Sequence, residues 1–253
     1  MTTTSGSDRR RHYQSRDDDN DDNNNNTRRQ FVSRASHARV AGFTNHDNGV
    51  GCRRRRQLMI GFCGAKIREH LKNSVIYAEQ TKRLGTAHAV MAAESKIPKA
   101  IEDLLVVMGD DSAFYDPKTI IDLVELHRQK SPSITMLTVQ KKDPKGLGRI
   151  LRDETQHVTG IVEEKLATPA EKKIKEVNAA CYVFKTSFLW PALKKIKRNP
   201  TGEYFLTDLI QIANKEGRRV IAHKISSSQW KGINTPEQLL AAHKAMAQRL
   251  KKK

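Results

Sequence analysis

Short apolar runs alternate with stretches of helical spacing from Leu58 onward, whereas residues 1–56 carry almost no apolar periodicity. LMIGF (58–62) reads as a strand, AKIREHL (65–71) as a short helix and SVIYAEQ (74–80) as a second strand. A helix is predicted over AHAVMAAESK after Gly85, with Thr86 as its N-cap, since a threonine hydroxyl accepts from the open amides of a first turn. LLVVMGDD (104–111) is a continuous apolar run closed by a polar turn, the pattern of a central parallel strand covered on both faces. KTIIDLVELHRQK, after Pro117, has helical spacing, and SITMLTVQ (133–140) returns to strand. Strand, helix, strand with short connections predicts right-handed βαβ crossovers in a mostly parallel sheet.

The second half is more mixed. RILRDE and HVTGIVEEK predict a hairpin closed near Thr155 and Gln156, followed by a helix around Ala170 to Ile174 and a strand over VNAACYVF (177–184). Helices are expected around Ser187 to Ile196 and Phe205 to Lys215, then the strand RVIAHKI and an amphipathic helix from Pro236. There is no internal repeat, and the Lys-rich end is expected to fray.

A chain of 253 residues with 37% hydrophobic content supports one large α/β domain or two small ones, and excludes a wholly disordered protein. Its texture divides it into residues 1–56 and a folded domain over 57–250. The first part has an Asp/Asn tract and Arg clusters, and the first lysine of the chain is Lys66. Three readings of it stay open: a disordered tail, an Arg-rich nucleic-acid arm, or sequence not native to this domain. Asp17, Asp18, Asp19, Asp21 and Asp22 would repel phosphates and disfavour the arm. The formal net charge of +18 suits nucleic acid, an anionic membrane surface or a phosphate-rich small substrate. Cys52, Cys63 and Cys181 share no C-x-x-C spacing and leave one unpaired, which suggests neither zinc nor a disulfide framework. With no run of about 20 apolar residues and no apolar leader, a soluble cytoplasmic protein is expected.

In open α/β sheets ligands bind beyond the carboxyl ends of strands, and Asp110 follows LLVVM at such an end. A carboxylate there can hold Mg²⁺, which keeps several waters and bridges to substrate phosphates; equally, Gly109, Asp110 and Asp111 can simply make a turn. Gln80 and LGTAHAV form a second candidate, because a helix starting at Gly85 and Thr86 offers amides to an anion or a base edge, although glycine before a helix is common. His88, one turn inside, reads as a packed helix residue.

EQTKRLGTAHAV, VVMGDD, LGRILRDE, GIVEEKLATPAEKKIKEVNAACYVF, GEYFLTDLI and GINTPEQL occur in one order. On these six collinear motifs, residues 57 to 245 resemble sugar-phosphate nucleotidyltransferases, in particular the bacterial N-acetylglucosamine-1-phosphate uridylyltransferases. The resemblance implies a Rossmann-like nucleotide-diphospho-sugar transferase fold, a mixed and mostly parallel sheet with helices on both faces. By the same resemblance, Gln80, Gly85 and Thr86 would contact the pyrimidine, Asp110 would be catalytic and hold Mg²⁺ with Asn234, and Gly148, Glu163 and Asn178 would contact the sugar. Glu164, Tyr204 and Thr207 lie in matching motifs. The implied substrates are a nucleoside triphosphate, UTP foremost, and a sugar 1-phosphate, giving an NDP-sugar such as UDP-N-acetylglucosamine for the bacterial cell envelope, with no membrane partner.

The family's opening strand and L-x-x-G-x-G-T-R-M loop have no counterpart in the sequence, so the first βα unit is expected to be missing or replaced and transfer impaired. The alternative is a non-catalytic sugar-nucleotide-binding protein. Leu166 replaces a usual acidic residue, and Ala180 the glycine of N-[TA]-G. No hexapeptide repeat accompanies the domain, so acyl transfer is not expected.

Overall fold

The computed structural model describes residues 38–43, 56–60, 64–233 and 235–251. The apolar runs become strands: β1 (Ala38–Phe43), β2 (Arg56–Ile60), β3 (Ile76–Glu79), β4 (Asp103–Met108), β5 (Ile134–Gln140), β6 (Arg149–Arg152), β7 (Val158–Val162), β8 (Glu176–Lys185) and β9 (Val220–Ile225). The helically spaced segments become α1 (Gly64–Leu71), α2 (Thr86–Ala93), α3 (Pro117–Lys130), α4 (Thr186–Leu193), α5 (Asp208–Lys215) and α6 (Pro236–Lys251). Among the described residues the strands form one sheet in the order β3-β2-β1-β4-β8-β5-β9, with the hairpin β6-β7 attached to β8.

The pairings set the directions. β2 is parallel to β3 and β5 to β9, while β1 and β8 are antiparallel to both of their neighbours. Hence β2, β3, β4, β5 and β9 all run one way, and β1 and β8 oppose them. The run LLVVM is central as expected, yet its hydrogen-bonded partners are both antiparallel. A strand buried on both faces looks the same in sequence whichever way its neighbours run.

β1 lies between β2 and β4, pairing Ala38 with Met108 and Phe43 with Asp103 along one side, and Arg39 with Leu58 on the other. Without it, two strands in mid-sheet would each leave a row of amides and carbonyls unpaired. Thus the segment expected to stand apart from the domain contributes one strand to it; residues 1–37 and 44–55 lie outside the described residues.

Side chains alternate across the sheet and fill two layers. On one face Leu104, Val106, Tyr182 and Phe184 pack with Ala87, Val90 and Ala93 of α2, Leu189 and Leu193 of α4, and Leu209, Ile210 and Ala213 of α5. On the other, Leu137, Val139, Val177, Cys181 and Val183 pack with Leu123 of α3 and with Trp230. The polar group of α3 brought inside is paired: buried His127 lies 3.2 Å from Asp103 Oδ1 and 2.8 Å from Thr135 Oγ1. None of the described helices is long and apolar enough to cross a membrane.

The hairpin of the second half closes where expected. Asp153 accepts from Thr155 and His157, and Gln156 takes the left-handed conformation at φ 67°. The helix expected near residues 170–174 is a single 3-10 turn, Glu171–Lys173. The helix expected from Phe205 begins at Asp208, because residues 203–206 instead run along the start of α2 and bond to it.

Candidate active site

The residues singled out by motif gather along one edge of the sheet. β3 and β4 end there, delivering Gln80 and Asp110, and β8 starts there, so that Asn178 pairs with Thr138 near the end of β5.

The first cluster surrounds the start of α2. Gly85 is the N-cap residue at φ 100°, and a β-carbon on it would stand 2.4 Å from the Tyr204 carbonyl oxygen. Thr86, expected as the cap, is instead the first helical residue, and its hydroxyl accepts from the Leu206 amide at 2.9 Å. The strap 203–207 is held further by the Tyr204 amide donating to the Leu84 carbonyl at 2.7 Å and the Ala87 amide to the Tyr204 carbonyl at 3.0 Å. Gln80 is buried, and its side-chain nitrogen lies 3.1 Å from the Gly85 carbonyl and 3.0 Å from His88 Nδ1. His88 is therefore tied to the cluster, a role invisible in the sequence because its partner sits across a loop.

The second cluster joins Gly148, Glu163 and Asn178. The Asn178 amide donates to the Gly148 carbonyl at 3.0 Å, and a β-carbon on Gly148 would touch both Glu163 carboxylate oxygens at 3.4 Å. The Asn178 side chain donates to Tyr182 Oη at 2.6 Å and accepts from the Ala180 amide at 3.0 Å. Burial pushes the Glu163 carboxyl above its ordinary range, with Asp208 and Glu203 adding to it and the Thr207 hydroxyl bond, at 3.5 Å, working against it. The strap thus reaches both clusters, through Leu206 to Thr86 and through Thr207 to Glu163.

Arg149 was not anticipated. It is buried at 1% exposure, pairs with Glu164 at 2.5 Å and also donates to the Leu147 carbonyl. It anchors the turn carrying Gly148; its only sequence signal is an arginine at the head of the short strand RILR.

Ala180 adopts φ 53°, at the place where the β5–β8 register shifts. That conformation costs a side-chain-bearing residue about 1 kcal/mol, which glycine avoids while losing more freedom on folding. Ala180→Gly is expected to stabilise the protein by about 0.5 kcal/mol, read as a higher urea midpoint at unchanged slope.

Asp110 ends the β4 run, and its main-chain carbonyl accepts from the Ile233 amide at 3.2 Å, so the segment leading to residue 234 is pinned beside it. Asn234 itself lies outside the described residues. Burial, reinforced by the Asp110 charge, pushes Asp111 up to about 8. Tyr115, donating to the Ala179 carbonyl, feels both carboxylates, and burial holds its hydroxyl protonated. Oxygen donors beside a second, repelling carboxylate fit a hard divalent cation that shares its shell with water and phosphate. Among the described residues no group of three His, Cys, Asp or Glu forms a closed metal cage.

This combination of a mixed α/β sheet, a glycine-opened helix and a carboxylate at a strand end defines the class: the chain belongs to the nucleotidyl transferase family, whose model matches residues 63–249. Among individual proteins it is 40% identical over 198 residues to the bifunctional protein GlmU of Heliobacterium modesticaldum, covering 78% of this chain and 43% of that one. The GlmU proteins of Thermoanaerobacter pseudethanolicus and Enterococcus faecalis are each 37% identical over 194 residues, covering 76% of this chain and 42% of theirs. The chain thus spans less than half the length of these relatives.

Proposed function

We propose that this edge transfers a uridylyl group from UTP to N-acetylglucosamine 1-phosphate, giving UDP-N-acetylglucosamine and pyrophosphate in the cytoplasm. The observation that carries the reading is the strap 203–207, whose adjacent residues Leu206 and Thr207 bond to Thr86 and to Glu163 respectively. One segment thereby links the base end and the sugar end of a bound pair.

In the reaction a phosphate oxygen of the sugar 1-phosphate attacks the α-phosphorus. The new P–O bond forms as the α–β bridging bond breaks, and pyrophosphate leaves with its electron pair. No covalent enzyme intermediate is required, and the protein contributes alignment and charge neutralisation. Gln80 holds the base edge, and Gly85 lets the strap close against the start of α2 beside it. Glu163 and Asn178 take sugar hydroxyls, with the Gly148 main chain beside them. Asp110 and Asn234 would hold Mg²⁺, which supplies positive charge to the clustered phosphates.

No G-x-G-T-R-M loop occurs in the sequence, and β1 runs antiparallel between β2 and β4. With fewer preorganised amides around the triphosphate, turnover is slow. The same observation favours a second reading, a sugar-nucleotide-binding protein without turnover. The full chain with Mg²⁺, UTP and N-acetylglucosamine 1-phosphate is expected to release pyrophosphate. Tight UDP-N-acetylglucosamine binding by calorimetry with no release from a panel of nucleotides and sugar phosphates selects the second reading. Absence of both binding and release rejects the two together.

A further inference from the structure

We infer that His88 is a positioning residue that fixes which edge of the Gln80 amide faces a nucleotide base, and thereby selects uracil over cytosine. The inference rests on the reading of this cluster as the base site and adds to it the residue that sets its polarity.

The Gln80 side-chain nitrogen sits 3.1 Å from the Gly85 carbonyl oxygen. A carbonyl only accepts, so the group facing it is the NH₂ and the amide cannot be reversed there without setting oxygen against oxygen. The same nitrogen lies 3.0 Å from His88 Nδ1. Its second hydrogen is therefore donated to that ring nitrogen, which must carry a lone pair. His88 is thus neutral, with its proton on Nε2. Both donors of Gln80 are consumed, and Oε1 is the polar atom left for a ligand.

An acceptor there matches the N3–H of uracil and opposes the bare N3 of cytosine. Were Nδ1 protonated, two donors would meet across 3.0 Å and the amide would lose one of the contacts that orient it. The surroundings keep the ring neutral: burial lowers its proton affinity, and the Arg198 guanidinium, which holds Tyr204 Oη at 3.1 Å, lowers it further. Tyr204 stacks against the ring, with centroids 6.5 Å apart and planes at 21°. The groups facing His88 are therefore Gln80, Tyr204 and Arg198.

The test measures UTP and CTP binding to the full chain with Mg²⁺, by calorimetry, for the wild type, His88→Leu and His88→Asn. The wild type is expected to prefer UTP by about tenfold or more, equivalent to about 1.4 kcal/mol. H88L should bring the two affinities to within about threefold, while H88N, whose amide oxygen can again accept from Gln80, should recover part of the preference. Wild-type preference should also fade on acidification, below the ordinary histidine range because the ring's proton affinity is lowered, whereas that of H88L should be flat. Thermal melts of the variants confirm that each is folded. Full UTP preference in folded H88L, or an H88N as unselective as H88L, overturns the inference and leaves the base site standing. Wild-type binding of neither nucleotide overturns both.

Discussion

Asp110→Ala is expected to abolish the Mg²⁺ dependence of UTP binding and to lower pyrophosphate release by about a hundredfold to a thousandfold, with the fold intact. Removing one charge-stabilising group from a phosphoryl-transfer site costs roughly 3–4 kcal/mol of transition-state stabilisation. Two features of the site bear on that result. Burial, which outweighs the Asp110 charge in raising the proton affinity of Asp111, survives the substitution and disfavours the ionised form that would have to take over the metal. The Asp110 carbonyl bond to Ile233 belongs to the main chain and survives the substitution, so the segment before Asn234 stays in position. Calorimetric titration with UTP at several Mg²⁺ concentrations separates the two effects. A D110A protein whose UTP affinity still rises with Mg²⁺ as in the wild type would remove Asp110 from the metal site.

How far the fold can be read from sequence differs from element to element for physical reasons. The 153–157 turn is local: an Asp side chain accepting from residues two and four further on needs no distant partner, and its position was predictable. The apolar run at 104–108 identifies a buried strand, but the direction of its neighbours depends on segments about 65 residues before and 75 after it, whose pairing leaves no trace in its own side chains. ARVAGF is harder still. Six residues with Arg, Ala and Gly make a weak strand signal, and what turns them into β1 is the gap between β2 and β4.

The candidate site was legible as a set of ordered motifs, and the structure brings the described members to one edge in two clusters with Asp110 between the strands that deliver them. What sequence reasoning could not supply was the supporting layer. His88 looks like any polar residue on an alanine-rich helix until the loop folds Gln80 back over it. Arg149 opens a strand where a solvated side chain would be ordinary, yet it is buried and paired with the partly exposed Glu164. Ala180 reads as a departure from the family's glycine, and only its left-handed backbone shows why glycine suits the place. Each of these roles is set by tertiary contact rather than by local periodicity.

Gly85→Ala carries the largest expected cost to folding. At φ 100° and ψ 179° the backbone is in a region open essentially to glycine alone, at about 1–3 kcal/mol for any other residue. The added methyl would also stand 2.4 Å from the Tyr204 carbonyl oxygen and 2.9 Å from its amide nitrogen. Those are main-chain atoms bonded to Ala87 and Leu84, so they cannot rotate away as a side-chain tip would. Relief requires the strap 203–207 to leave α2, breaking the Leu206 bond to Thr86 and shifting Thr207 away from Glu163. The combined strain and overpacking should destabilise the protein by roughly 3–5 kcal/mol, a large share of the 5–15 kcal/mol typical of a folded domain. Urea unfolding is expected to show a midpoint lowered accordingly, and UTP affinity should fall with it, since the Gly85 carbonyl that orients Gln80 moves too. A G85A protein with wild-type stability and UTP affinity would mean that the strap does not lie against Gly85 and that the two ends of the site are not linked through it.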